Sequence, residues 1–154
     1  MATPQALEDV RVPTRYRLTA MWTTLMFCFI YADYFELYVP GKLQGMLAGN
    51  MIPLGPVTQS VLVGTGAMLA LPSLMILFSL ILGAVLTRWL NIVVATLYMA
   101  IQILVISGSG WAFYIAFGVL EVALTALIVW TAWTWPRTVA ESSESAQFVR
   151  HDLA

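Results

Sequence analysis

Four long apolar runs occupy most of this 154-residue chain and leave little choice of fold. They cover residues 18–39, 58–86, 90–107 and 111–135. A helix that crosses a lipid bilayer needs about 20 mostly apolar residues, and each run reaches or approaches that length. Membrane strands need only about 10 residues of alternating polarity, so long continuous runs predict helices.

Composition agrees with this prediction. Hydrophobic residues make up 60% of the chain and charged residues only 10%, whereas about a quarter of the residues in a soluble domain are charged. We therefore predict an all-α protein, a membrane-spanning antiparallel four-helix bundle surrounded by lipid. The domain organisation would be an N-terminal tail (1–17), a transmembrane domain (18–135) and a disordered C-terminal tail (136–154). The first run is not followed by a small-x-small cleavage site, so we do not interpret it as a signal peptide.

Basic residues predict the orientation of the helices. Six basic residues lie on one side of the predicted bundle, in the two terminal flanks and in the connection between the second and third runs. The other side carries only Lys42. Because cytoplasmic segments are enriched in Lys and Arg, we expect both termini to be cytoplasmic in a multi-pass protein of the cell inner membrane. The six residues are Arg11, Arg15, Arg17, Arg88, Arg137 and Arg150.

The connections between the runs differ in length. We expect tight turns at residues 87–89 and 108–110, which would make the last three helices antiparallel neighbours. The first external connection, residues 40–57, is longer. Residues 42–48 predict a short interfacial helix, and the prolines and glycine that follow predict an extended return. A lid over a site and an apolar plug at the membrane surface are both open interpretations of this loop. Pro72 predicts a bend in the second helix.

Three carboxylates lie inside the apolar runs, at Asp33, Glu36 and Glu121. An acidic group at membrane depth costs a few kcal/mol and normally faces a protein interior or a wet cavity. Asp33 and Glu36 are three residues apart, which favours one helix face. No Lys or Arg lies within a run, so we expect these carboxylates to have no cationic partner within the bundle. We expect Glu121, the deepest, to form a hydrogen bond with Tyr98, Gln102 or a tyrosine of the first helix.

These residues define a candidate ligand-binding site in the outer half of the bundle. The function predicted from it is an externally facing acidic and aromatic pocket that binds or transports a small cationic or lipophilic ligand or protons. Tyrosine rings would offer faces to a cation. The predicted site residues are Asp33, Glu36, Glu121, Gln102, Tyr98, Tyr34 and Tyr114.

An alternative function uses the same residues differently. Polar contacts between membrane helices contribute about 0.6 kcal/mol each, so the carboxylates could simply hold helices together in a non-catalytic accessory or scaffold subunit of a membrane complex. A homo-oligomer or a larger assembly fits that alternative.

Enzymatic chemistry has little support. Cys28 is the only cysteine and His151 the only histidine, which excludes a histidine metal site or a Cys/His or Ser/His pair inside the membrane within one subunit. We therefore predict no catalytic residues, no metal ligands, no cofactor and no nucleic-acid partner. Carboxylates alone could perform acid–base chemistry, so the enzyme question stays open.

A set of short motifs resembles a known group of proteins. The motifs are Tyr31-Ala32-Asp33, Pro40-Gly41, Leu71-Pro72, Arg88-Trp89-Leu90-Asn91, Glu121 and Trp130-Thr131-Ala132-Trp133-Thr134-Trp135-Pro136. Over about residues 15–136 the chain resembles an uncharacterised family of bacterial four-span membrane proteins, a domain of unknown function. The resemblance implies four helices and a bacterial inner membrane, and it implies no activity. In plan the chain is also distantly similar to DoxX-like proteins, an analogy of architecture only.

Overall fold

A computed structural model describes residues 10–51 and 54–136 of the chain. It contains five helices and one pair of short strands within those ranges. The disordered tail predicted for 136–154 and the start of the N-terminal tail lie almost wholly outside the described residues. In chain order the elements are α1 (Thr14–Glu36), α2 (Lys42–Leu47), β1 (Asn50–Met51), β2 (Gly55–Pro56), α3 (Gln59–Ile81), α4 (Ala84–Ser107) and α5 (Ala112–Trp133).

Three of the helices are long and apolar enough to cross a membrane. They are α3, α4 and α5, with 23, 24 and 22 residues and mean hydropathies of 2.1, 2.1 and 2.2. Their outer faces expose large apolar side chains such as Val93, Leu104 and Val119, which suits contact with lipid tails. These properties are typical of an integral membrane protein. Helix α1 also has 23 residues, but it is more polar and is not among the candidate spans.

The four long helices pack with alternating direction. Helix α1 contacts α3 and α5, and α4 contacts α5 and α3. Arg15, at the start of α1, reaches the end of α3, and Arg88, near the start of α4, reaches the end of α5. Helices that are neighbours in sequence therefore run antiparallel. We call the end that holds these two arginines the arginine end, and the opposite end, with residues 37–51, 54–58 and 108–111, the loop end.

The break between α3 and α4 is not where the sequence analysis predicts it. The prediction was residues 87–89, but Leu82 and Gly83 are the extended residues and α4 begins at Ala84. Thr87 is fully buried and donates a hydrogen bond to the Leu82 carbonyl at 3.1 Å. A charged residue at position 88 suggested a turn. The Arg88 side chain is long, however, so the residue can be helical while its guanidinium reaches the carbonyls at the end of α5. Helix α1 likewise begins earlier than expected, at Thr14.

The arginines cap the ends of two helices. The Arg15 guanidinium donates to the carbonyls of Leu80 at 2.9 Å and Leu82 at 2.6 Å. Arg88 donates to the carbonyls of Ala132 at 3.2 Å and Trp133 at 3.3 Å. The last carbonyls of a helix have no hydrogen-bond donor inside the helix, and they carry partial negative charge. A guanidinium group supplies both hydrogen-bond donors and a positive charge.

The described part of the connection between α1 and α3 contains the short helix predicted for it. A short helix, α2, is followed by an extended return in which Asn50 pairs with Pro56 and Met51 with Gly55, antiparallel. Two glycines make the turns possible because their φ angles are positive, 84° at Gly41 and 86° at Gly55. The position of α2 at a membrane surface stays a prediction.

A buried hydrogen-bond network joins three helices near the arginine end. Trp22 Nε1 donates to Asn91 Oδ1 at 2.7 Å, and Asn91 Nδ2 donates to the Thr87 carbonyl at 2.8 Å and to Ser79 Oγ at 3.2 Å. The side chains of Trp22, Ser79 and Asn91 are fully buried. Every polar group of the Asn91 side chain has a partner, so this network ties α1 and α3 to α4.

We predict that Asn91→Ala lowers the free energy of unfolding by about 1–3 kcal/mol, because it leaves the Trp22 N–H and the Ser79 hydroxyl buried without their partner. Unfolding of the purified protein in mild detergent, followed by tryptophan fluorescence, measures the change. Asn50→Ala is the matched control since Asn50 is exposed. Equal stability of the two variants would contradict a structural role for the network.

Candidate functional site

One cavity among α1, α3, α4 and α5 brings together five of the seven predicted site residues. Its volume is about 120 Å³, room for a few water molecules or a ligand of a few heavy atoms. We call it the inner cavity, and it lies toward the loop end. The five predicted residues are Asp33, Tyr98, Gln102, Tyr114 and Glu121, and the rest of the lining is Phe29, Ala32, Met68, Leu69, Ile101 and Val105.

Glu121 is the buried carboxylate of this cavity. Only 3% of its surface is exposed, and its Oε2 accepts a hydrogen bond from the Gln102 side-chain amide. This confirms the expected partnership of Glu121 with one of the named polar residues. Among the described residues, however, nothing donates to Oε1, and that atom is buried. A buried carboxylate oxygen without a donor is costly, so a donor inside the cavity, from water or from a ligand, would stabilise this atom.

Asp33 reaches the same cavity from α1, but its side chain is exposed. The structure gives it no hydrogen-bond donor among the described residues. It interacts electrostatically with Glu121 and with Glu36 and Lys42. The cavity therefore has one buried and one accessible carboxylate, supplied by two helices.

Two predicted residues lie elsewhere. Glu36 does not line the inner cavity; its Oε1 accepts a 2.7 Å ion-paired hydrogen bond from Lys42 Nζ. This cation comes from outside the four long helices, because the turn after α1 brings the start of α2 back toward Glu36, and the sequence analysis did not anticipate the pair. The Tyr34 hydroxyl pairs with that of Tyr38 at 3.0 Å, and the Tyr34 ring is half-exposed.

Tyr98 has a structural role that the sequence analysis missed. Its hydroxyl donates a hydrogen bond to the Met68 carbonyl. In an α-helix that carbonyl would accept from the N–H four residues later, but position 72 is proline and has no N–H. The Tyr98 hydroxyl thus replaces the missing bond of α3 and fixes α4 against it. The signal was present in the sequence as a proline four residues after Met68 and a tyrosine four residues before Gln102.

A larger open groove adjoins the inner cavity at the loop end. It has a volume of about 860 Å³ and lies between the connection after α1 and the turn between α4 and α5. We call it the outer groove. Glu36 and Lys42 line it, as do Ser109 and Trp111. No property of the individual residues indicated this groove, because it depends on how two separate connections face each other.

Metal binding has no structural support in the described part of the chain. Residues 10–51 and 54–136 contain no group of three or more His, Cys, Asp or Glu side chains placed to hold a metal ion. The polar side chains that line the inner cavity are two carboxylates, one amide and two phenol groups. Such a set suits a hydrogen-bond donor or a monovalent cation.

Comparison with known sequences places the chain in a family. The sequence model of a family of unknown function, DUF6326, matches residues 10–142. The chain belongs to this family, which covers all four long helices. No curated protein and no solved structure matches the chain. The bacterial origin and the DoxX-like plan stay predictions.

Close packing beside the cavity depends on a glycine. Gly118 is buried one turn before Glu121 on α5, and a Cβ atom at this position would collide with the Ile106 side chain of α4. Because Ile is branched at Cβ, its side chain has few ways to move aside. The absence of a side chain at Gly118 therefore lets α5 approach α4, the helices that carry Glu121 and Gln102.

We predict that Gly118→Ala destabilises the protein by about 1–3 kcal/mol through overpacking. The matched control is Gly66→Ala on α3, where an added Cβ meets no atom within 4 Å. Unfolding midpoints in detergent distinguish the two. In the Ile106→Ala background, Gly118→Ala should cost much less, and an equal cost in both backgrounds would contradict this packing argument.

Proposed function

We propose that α1 is a fourth membrane span, so that the protein is a four-helix bundle of the inner membrane with both termini in the cytoplasm. The charged residues of α1 lie in its first and last turns, and residues 18–32 between them carry no charge. Arg15 and Arg88 share one end, whereas Lys42 lies at the other. This distribution supports a cytoplasmic arginine end by the positive-inside rule.

We infer that the inner cavity binds a small organic cation, such as a protonated amine. The observation that carries this proposal is Glu121 Oε1, a buried carboxylate oxygen with no donor among the described residues. An ammonium group carries several N–H donors and a positive charge, so it would satisfy both that atom and the nearby Asp33.

Aromatic rings support the same ligand class. Phe29, Tyr98 and Tyr114 line the cavity together with the two carboxylates, and aromatic faces attract cations most strongly where water is scarce. The volume of about 120 Å³ restricts the ligand to a few heavy atoms.

Packing between the inner cavity and the arginine end favours a site that binds a ligand over a channel through the protein. Toward the arginine end, Leu18, Trp22, Leu25 and Ile128 are fully buried in the apolar core. Protein interiors of this kind are close-packed, so a ligand that enters the cavity has no path to the arginine end in this conformation. We therefore propose a site that takes up its ligand from the loop end, either as a receptor or as one conformation of a carrier.

We predict that methylammonium raises the thermal unfolding midpoint of the protein in nanodiscs, relative to equal concentrations of sodium chloride. A ligand at 100 times its Kd stabilises by about 2.7 kcal/mol. Glu121→Gln should remove the effect because an amide cannot carry the negative charge that would pair with the ammonium group. Tetraethylammonium, which is too large for the cavity, should not stabilise.

The matched control is Glu36→Gln, which removes a carboxylate outside the cavity and should keep most of the stabilisation. If methylammonium leaves all three proteins unchanged, the cation-binding proposal fails. In that case, a Glu121→Gln variant that only loses stability would support the accessory or scaffold function.

A further inference from the structure

The outer groove and the inner cavity share a wall. Val105 on α4 and Tyr114 on α5 line both spaces. The two spaces therefore meet where these side chains stand, and anything that passes from the groove to Glu121 must pass them. Of the two, Tyr114 has the larger side chain and the only polar group.

Tyr114 also lies near acidic groups of both spaces. It interacts electrostatically with Glu36 in the groove and with Asp33 and Glu121 in the cavity. Its side chain is half-buried, and its ring lies edge-on to Phe113 with 6.0 Å between the ring centroids. Among the described residues, no group forms a hydrogen bond with its hydroxyl. That hydroxyl can therefore accept a hydrogen bond from a passing ammonium group.

Charge differs between the two spaces. In the groove, the Glu36 carboxylate is neutralised by Lys42 at 2.7 Å. In the cavity, Asp33 and Glu121 have no basic side chain within hydrogen-bond distance among the described residues. A solute in the groove meets a nearly neutral surface, and a solute beyond Tyr114 meets an acidic one. Selection by charge should therefore take effect at Tyr114.

We propose that small cations enter the inner cavity from the outer groove by passing Tyr114, and that Tyr114 is the gate that determines the specificity of entry. The inference rests on the proposed cation site and adds the route, the selecting residue and the preference for positive charge. The competing route is lateral, beside Asp33, whose side chain is exposed. A route beside Asp33 would not depend on the size of residue 114.

Cysteine labelling tests the route. Cys28 is the only cysteine of the chain, so Cys28→Ser gives a background without thiols. In it, Ala32→Cys places a thiol in the inner cavity and Ser109→Cys places one in the outer groove. The probe is aminoethyl methanethiosulfonate, a small cation, added to protein in nanodiscs. Its anionic counterpart, sulfonatoethyl methanethiosulfonate, measures charge selection.

We expect Tyr114→Trp to slow cationic labelling of the Ala32→Cys thiol at least tenfold, and Tyr114→Ala to speed it several-fold. Labelling of the Ser109→Cys thiol should change less than twofold, which also shows that the variants remain folded. The anionic reagent should label the cavity thiol at least tenfold more slowly than the cationic one. Asp33→Asn together with Glu121→Gln should reduce that ratio. Should Ala32→Cys fail to fold, Ile101→Cys supplies a second cavity thiol.

Two outcomes would contradict the proposed role of Tyr114 as a gate. Labelling of the cavity thiol that is independent of residue 114 would favour the lateral route, and no labelling even in Tyr114→Ala would show that the groove does not lead to the cavity. Either result leaves the methylammonium measurement standing. Conversely, labelling that depends on Tyr114 together with no stabilisation by methylammonium would retain the route and reject the proposed cation site.

Discussion

Polar groups inside an apolar environment need partners within the protein, and this constraint explains most of the tertiary structure. In lipid no water is available to replace a missing hydrogen bond. The Arg15 and Arg88 guanidinium groups supply donors to the ends of α3 and α5, Asn91 is fully paired, and the Tyr98 hydroxyl occupies the carbonyl that Pro72 leaves free. Against this background, a buried carboxylate oxygen without a donor stands out.

Two buried side-chain oxygens in residues 10–51 and 54–136 lack a partner, Glu121 Oε1 and Thr131 Oγ1. Only Glu121 lines a cavity described above. A threonine hydroxyl leaves a neutral group unpaired, whereas a carboxylate concentrates charge, so the deficit at Glu121 is the larger one. The same helix carries Gly118, whose lack of a side chain keeps α5 close to α4. Packing thus holds Glu121 in place beside the inner cavity.

Helical periodicity was enough to predict much of the candidate site. Tyr98 and Gln102 lie four residues apart on α4, so they face the same way, and Glu121 lies on the buried stripe of α5. The sequence left Tyr98, Gln102 and the tyrosines of the first helix open as partners of Glu121, and the structure shows that the partner is Gln102. Glu36 could not be assigned in this way, because its partner Lys42 comes from α2 and its position depends on the turn at Gly41. The α3–α4 break was misplaced for a related reason, since Arg88 looks like a turn residue until its partners on α5 are known.

The two ends of the bundle therefore have different physical characters. At the arginine end, capped helix termini and the Asn91 network leave large side chains such as Trp22 fully buried. At the loop end, the helices are joined by two connections that enclose a groove instead of a core. Close packing therefore lies on the arginine side of the inner cavity, and open space adjoins it on the loop side. Tyr114 lines the wall between the two spaces and lies on the same face of α5 as Glu121, two turns away, so one helix places both residues at the inner cavity.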